Sequence, residues 1–280
     1  MDQPIPVIEA KNLSFRYSHS DKNALDRVNF KVYPGEKIAV LGANGAGKST
    51  LFKHLNGILK PIAGSVYVKG LPIKKDNILD VRHTVGIVFQ DPDDQIIAPS
   101  VEEDVAFGPM NMGLPIGEVE ERVKNALEIV NLTGLEKRAP HHLSGGQKKM
   151  VAIAGILAIQ PEVVVLDEPT AGLDPVNAEK VLDIIDRMNR ELNITVILST
   201  HEIDIVPPFA NRVIVLHEGK IEADDVPMKI FGDEELLRKS NLRMPRVAEV
   251  FKLLQEKGVD IKIQSTPHEA RDELLRVIRK

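Results

Sequence analysis

Gly42-Ala43-Asn44-Gly45-Ala46-Gly47-Lys48-Ser49 is the stretch on which the fold turns. It satisfies G-x-x-x-x-G-K-[ST] in full. The apolar run Ile38-Ala39-Val40-Leu41 precedes it, and a stretch with helical character, Thr50 to Leu59, follows it. Strand, glycine-rich loop and helix in that order make a phosphate cradle. Glycine lets the backbone close around phosphate oxygens. Successive N–H groups at a helix N-terminus form an anion nest, and the helix dipole adds to it. In this arrangement Lys48 reaches the β- and γ-phosphates and the Ser49 hydroxyl ligates Mg²⁺. Thr50, the next residue, is counted with the nucleotide-binding set.

Working outward, the chain alternates short apolar runs with helix-length segments. Thr84 to Val88, Val163 to Leu166, Thr195 to Ser199 and Arg212 to Leu216 are rich in Val and Ile. Such runs read as buried parallel strands of an α/β sheet. Between two of them, Val181, Leu182, Ile185, Met188 and Leu192 form one helical stripe, as a crossover helix requires. The beginning differs. Val7, Glu9 and Lys11, then Leu13, Phe15 and Tyr17, alternate like half-buried antiparallel strands, as does Val28 to Val32. Glu218-Gly219-Lys220 predicts a turn between two late strands. Pro99 to Pro161 holds helical patterns and no strand, and reads as an insertion. After Phe231 the chain turns charged and helical. Thr266-Pro267-His268-Glu269 is a helix start with Thr as N-cap and Glu completing a capping box. Ala270, Leu274 and Ile278 then recur at intervals of four.

Composition excludes several classes. The chain of 280 residues has no cysteine, which removes thiol chemistry, iron–sulfur clusters and disulfides. Its net charge of −5 argues against a surface devoted to nucleic acid. The longest apolar run, Val151 to Ile159, is about half of the ~20 residues a membrane span needs. The opening Met1-Asp2-Gln3-Pro4 lacks the charged and apolar regions of a signal peptide. The expectation is a chain that neither spans a membrane nor is secreted, and that docks on a membrane partner if it meets one.

A phosphate loop of this kind needs an acidic group for its metal. Val163-Val164-Val165-Leu166 ends in Asp167-Glu168, at the edge where α/β sheets bind ligands. Asp167 is the natural partner of Mg²⁺, reaching it from behind its ligands or through a bound water. Glu168, one residue on, points differently and is placed to polarise water against the γ-phosphate as general base. Leu143-Ser144-Gly145-Gly146-Gln147 supplies another anion site, since Ser144 is a good N-cap and a helical run follows. With a single phosphate loop in the chain, this second site makes sense if it serves a partner's nucleotide. That predicts a head-to-tail pair with ATP between the subunits.

These ordered motifs resemble the ATP-binding subunit of an ABC transporter, over residues 5 to 230 or so. The resemblance implies an α/β P-loop NTPase core with an antiparallel β subdomain, an inserted α-helical subdomain and a small C-terminal helical appendage. The implied boundaries are 1–231 for the ATPase unit, with the insertion at about 99–161, and 232–280 for the extension. It further implies that Tyr17 stacks on adenine, although a strand aromatic of this kind also serves as core packing. Gln90, in Phe89-Gln90-Asp91-Pro92, matches the glutamine loop that contacts the metal and the attacking water and relays to the membrane subunit. Asp174, in Ala171-Gly172-Leu173-Asp174-Pro175, matches the loop that bridges two subunits. His201, in Ser199-Thr200-His201-Glu202, matches the switch histidine on the γ-phosphate. The implied cofactors are ATP and Mg²⁺. The implied partners are a second ATPase subunit, identical or paralogous, and transmembrane coupling and substrate-binding subunits, with no nucleic acid. The implied location is the cytoplasmic face of the cell membrane.

Phe89 to Gln95, Pro140-His141-His142 before the signature and Val151 to Gly155 after it resemble the energy-coupling-factor branch, and within it the cobalt or nickel importers. The C-terminal helical tail also suits that branch, where such tails help to hold the ATPase dimer. His141-His142 lacks the spacing of a metal site. Asp91, Asp93 and Asp94 read as a solvated loop. Three positions depart from the usual pattern: Ala43 stands for a common proline, Met150 for a basic residue and Glu202 for Asp. The alternatives are an ABC-type ATPase not coupled to transport and an energy-coupling-factor ATPase for a vitamin such as biotin or riboflavin. A P-loop kinase would need an acceptor site and a lid with arginines, and would leave Leu143 to Gln147 without a role.

Overall fold

The computed structural model describes residues 5–279. The chain opens with an antiparallel pair, β1 (Ile8–Phe15) and β2 (Leu25–Val32). β3 (Lys37–Leu41) leaves for a second sheet and runs through the glycine loop into α1 (Lys48–Leu55). β4 (Ala63–Val68) and β5 (Leu71–Pro72) return to complete a four-stranded antiparallel sheet of order β2-β1-β4-β5. α2 (Ile78–Thr84) leads into β6 (Val85–Val88). Then come α3 (Val101–Asn111), α4 (Ile116–Ile129) and α5 (Gly145–Ala158), with no strand among them. β7 (Val163–Leu166), α6 (Pro175–Leu192), β8 (Thr195–Ser199), the short α7 (Val206–Phe209), β9 (Arg212–His217) and β10 (Lys220–Asp225) follow. They complete a six-stranded sheet of order β10-β9-β3-β8-β7-β6, parallel except for β10. α8 (Pro227–Gly232), α9 (Glu234–Lys239), α10 (Arg246–Glu256) and α11 (Pro267–Ile278) come last.

The larger sheet is buried on both faces, which explains its unbroken apolar strands. Because side chains alternate along a strand, each strand feeds two cores. Ala39, Leu41, Val164, Leu166, Val196 and Leu198 pack toward α3 to α6. Ile38, Val40, Val163, Val165 and Ile197 pack toward α1 and the antiparallel sheet. Each such aliphatic side chain contributes about 1.5–3 kcal/mol by leaving water. A third, small core joins Phe251 of α10, Ile261 and Ala270 of α11.

Several elements differ from the sequence expectation. β1 is one strand with a bulge, because Asn12 takes φ 48 and the register shifts between Ala10 and Leu13. The bulge changes which residues face inward, and the strand ends at Phe15, before Tyr17. α1 stops at Leu55, well before Leu59, since Gly57 at φ 73 turns the chain away. Thr84 belongs to the end of α2. On α6 the buried stripe is Val181, Ile184, Ile185 and Met188, while Leu192 is exposed. On α11 only Ala270 of the four-residue repeat is buried; Leu274 and Ile278 are exposed. Glu273 is buried instead, where it accepts from the Lys262 N–H and from Arg276. Thr266 caps α11 as expected, accepting from the Glu269 N–H, but Glu269 takes the Thr266 hydroxyl rather than its backbone N–H.

Candidate active site

The parallel ladders bring the motifs together. Val88 pairs with Leu166, Leu166 with Leu198, and Ser199 with Val40. Four neighbouring strands therefore end nearly level. The segments leaving them begin Phe89-Gln90, Asp167-Glu168, Thr200-His201 and Gly42. That is the carboxyl edge where open α/β sheets hold ligands.

Gly42 takes φ 155, and a Cβ there would lie 2.2 Å from the Leu216 carbonyl oxygen. Gly47 takes φ 108 with the Ala24 carbonyl oxygen 2.5 Å from the place of a Cβ. The loop can therefore lie tight between β9 and the chain ahead of β2 only without side chains at these positions. Lys48 is buried, and its Nζ donates to the carbonyls of Gly42 at 2.8 Å and Ala43 at 3.3 Å. Burial lowers the Lys48 pKa, and the charges of Glu168 and Asp167 oppose that shift. A cleft of about 840 Å³ opens here, lined among others by Tyr17, Asn44, Gly45, Lys48, Ser49 and Glu168. Tyr17 is exposed beside it. Its hydroxyl shares a hydrogen bond with Thr50 Oγ1 at 3.1 Å, and its ring meets Phe15 edge to face at 5.0 Å. The aromatic is thus not buried in the core.

The acidic pair is held by one hydroxyl. Ser199 Oγ donates to Asp167 Oδ1 at 2.6 Å and accepts from the Glu168 N–H at 3.0 Å. Asp167 is buried, while Glu168 turns toward the cleft. Glu168 takes φ 48 and precedes Pro169, so its backbone is in a region that L-residues avoid. Such conformations cost about 1–3 kcal/mol and persist where the surroundings hold them. Its carboxylate meets His201 Nε2 at 2.5 Å and Gln90 Nε2 at 3.4 Å. Its carbonyl accepts from the Ala171 N–H and from Lys149 Nζ, each at 3.1 Å. Ser199 and Lys149 are contacts that the motif reading missed. A polar residue at the end of an apolar strand was the available signal for Ser199; Lys149 had none.

The second set of residues lies elsewhere. Ser144 caps α5 in a capping box: it accepts from the Gln147 N–H at 3.3 Å, and Gln147 Oε1 accepts from the Ser144 N–H at 3.0 Å. Asp174 caps α6, accepting from the Asn177 N–H at 3.1 Å, and these bonds hold its carboxyl below the usual range. Ser144, Gly146, Gln147 and Asp174 line neither the nucleotide cleft nor the cavity next to it. That neighbour, of about 750 Å³, touches Ser49, Gln90, Gly145 and Asp167. Asp91, Asp93 and Asp94 are exposed, as expected of a solvated loop, and Asp93 also pairs with Lys148 of α5 at 2.6 Å. Met150 is buried in the core, which suits its apolar side chain. Glu202 uses its length to accept from Thr170 Oγ1 at 2.9 Å.

The Ser49 hydroxyl, the Gln90 amide oxygen and the Asp167 carboxylate are hard oxygen donors, the set that suits Mg²⁺. Among the described residues no group of three or more His, Cys, Asp or Glu side chains forms a metal cage. Mg²⁺ fits such a site, since it is usually held by one or two carboxylates together with water and substrate phosphates.

Residues 25–171 match the family described as ABC transporter. Over 277 residues the chain is 54% identical to the energy-coupling factor transporter ATP-binding protein EcfA of Methanococcus maripaludis, covering 98% of this chain and 99% of that one. It is similar to the solved structure of cbiO1 from Clostridium perfringens, described as part of the ABC transporter complex cbiONQ. The TM-score is 0.75 at 43% identity, over 88% of this chain and 99% of that one. It is also similar to the dimeric ATP-binding cassette MJ0796 in a post-hydrolysis state bound to ADP and Pi, with TM-score 0.71 at 29% identity, over 79% and 98% of the two chains. The chain belongs to the ABC transporter family, as an ATP-binding subunit and an ATPase. Within that family its likeness is to the energy-coupling-factor ATP-binding proteins. No helix among the described residues is long and apolar enough to cross a membrane.

Proposed function

We propose that this chain is the motor of an energy-coupling-factor importer, working in a head-to-tail pair of ATPases with two ATP molecules at their interface. One observation carries the reading. The phosphate loop, Gln90, Asp167, Glu168 and His201 meet at one sheet edge, while Ser144 and Asp174 lie outside that cleft. Ser144 and Asp174, which line neither this cleft nor its neighbour, have a use when a second copy or a paralogue presents them to this one. The dimeric cassette bound to ADP and Pi supports that arrangement.

In this reading the loop N–H groups of Gly42 to Ser49, with Thr50 following, cradle the phosphates and Lys48 binds the β- and γ-oxygens. Tyr17 stacks on the adenine. Ser49, Gln90 and Asp167 would hold Mg²⁺, which would supply positive charge against the phosphate oxygens. Glu168 takes a proton from water as the water oxygen bonds to the γ-phosphorus. The bond to the β,γ-bridging oxygen breaks, and ADP leaves with that electron pair. His201 donates to the γ-phosphate. Ser144 to Gln147 of the other copy contact the same phosphate, and Asp174 bridges the two copies. The ATPase unit occupies 1–231 with its helical insertion at about 99–161, and 232–280 form the extension.

The partners are transmembrane coupling and substrate-binding subunits, and the chain sits peripherally on the cytoplasmic face of the membrane. The cargo is cobalt or nickel ion. The motifs around Gln90 and the signature, and the likeness to cbiO1, support this assignment. The test is ATP-driven uptake by vesicles carrying the full chain with its membrane partners. Uptake of Co²⁺ or Ni²⁺ that stops without ATP is the expected result. Uptake of a vitamin instead would overturn the cargo. Hydrolysis by a chain that associates with no membrane subunit would overturn the coupling to transport.

A further inference from the structure

Lys149 is a buried residue whose side chain borders the cavity shared by Ser49, Gln90 and Asp167. It lies on α5, two residues past the signature glutamine, Gln147. A buried ammonium is unfavourable unless a specific bond receives it. Here Nζ donates to the Glu168 carbonyl oxygen at 3.1 Å. Burial lowers the Lys149 pKa, and the charges of Glu168 and Asp91 act against that shift.

The receiving peptide is the strained one. Glu168 takes φ 48 immediately before a proline. Its N–H is held by Ser199 Oγ and its carbonyl by the Ala171 N–H and by Lys149. Of these three, only Lys149 comes from the helix that carries Ser144 to Gln147. Lys148, next along α5, pairs with Asp93 in the Gln90 loop at 2.6 Å. Consecutive lysines of one helix thus reach two different parts of the site.

We propose that Lys149 is a positioning residue for Glu168: it fixes the left-handed turn that aims the carboxylate, and so links the place of the signature helix to the readiness of the base. This rests on the reading of Glu168 as general base. If the lysine were only filling space, a side chain of similar length without charge would serve equally well.

The test compares steady-state ATP hydrolysis by the full chain with its partners for Lys149→Met, Lys149→Arg and Glu168→Gln, and for the Glu168→Gln/Lys149→Met pair. Lys149→Met is expected to lose about tenfold or more in kcat while KM for ATP stays within about twofold, as loss of an interaction used in the transition state requires. Lys149→Arg, which keeps a cation on a long stem, is expected to restore most of that rate. Adding Lys149→Met to Glu168→Gln is expected to cost nothing more, since the lysine acts through the glutamate. A Lys149→Met rate within about twofold of the parent, a rise in KM alone, or no rescue by arginine each overturns the proposal. Those results beside an inactive Glu168→Gln leave the base assignment standing. An active Glu168→Gln overturns the base assignment, and this inference with it.

Discussion

His201 Nε2 lies 2.5 Å from Glu168 Oε1. The two residues leave neighbouring parallel strands whose ends are in register, Leu166 opposite Leu198. The contact is thus a product of the sheet rather than of either motif. It makes His201 and the proposed base, Glu168, a directly coupled pair. With Gln90 Nε2 at 3.4 Å on the other oxygen, the Glu168 carboxylate is addressed from both sides.

Glu168→Gln should keep ATP binding and lose turnover by about 10²- to 10⁴-fold, the usual worth of a general base. It should also accumulate a nucleotide-loaded dimer, seen by size-exclusion chromatography. Hydrolysis close to the parental rate would remove Glu168 from the base role.

Ser144→Arg should leave nucleotide binding to the isolated subunit intact and stop hydrolysis by the assembled pair. The Ser144 cap on α5 is lost in this variant, at about 1 kcal/mol. Ser144→Ala loses the same cap without adding bulk, so the two variants should show a similar fall in Tm. Equal loss of nucleotide affinity in the monomer by calorimetry would defeat the idea that this serine serves the other copy's ATP.

Tyr17→Ala should weaken ATP binding by about tenfold, since base–aromatic stacking is worth about 1–3 kcal/mol. Tyr17→Phe should bind nearly as well, because the hydroxyl bonds Thr50 and the face of the ring is retained. Unchanged affinity in Tyr17→Ala, measured by equilibrium titration, would return the residue to a packing role against Phe15.

The C-terminal helices should carry an acid-sensitive tie. Arg276 and the Lys262 N–H hold the Glu273 carboxyl at a pKa of about 2, well below its ordinary value of 4.5. A depressed folded-state pKa stabilises above the unfolded value and loses that contribution as pH falls from about 4.5 toward 2. Glu273→Gln should therefore expose the Lys262 amide to hydrogen exchange at pH 7, and the difference from the parent should shrink below pH 4.5 and vanish near 2. A difference independent of pH would show that packing, not charge, makes the tie.

The phosphate loop, the acidic pair and the apolar strands were legible in the amino-acid order, because each is a local pattern with a local cause. Glycines are demanded by close backbone approach, and Val and Ile runs by burial on two faces. A single residue that redirects the chain leaves no such pattern. The bulge at Asn12 shifts the register within one strand, and the turn at Gly57 ends one helix early. On α11 the expected apolar stripe is exposed at Leu274 and Ile278 and a paired glutamate is buried. An ion pair can occupy an interior position only when its partner is nearby, and the spacing of apolar residues does not report that.

The sequence by itself determined the class of chemistry, since G-x-x-x-x-G-K-S with Asp167-Glu168 allows few uses. Tertiary structure alone decided which groups act on Glu168. Ser199 and His201 at the end of β8, Gln90 after β6 and Lys149 on α5 come from three separate segments and meet it through strand register and helix packing. Such meetings depend on how the sheet orders its strands as β10-β9-β3-β8-β7-β6. Burial of both sheet faces makes these strands uniformly apolar, so their order is a property of the whole fold that no short motif contains.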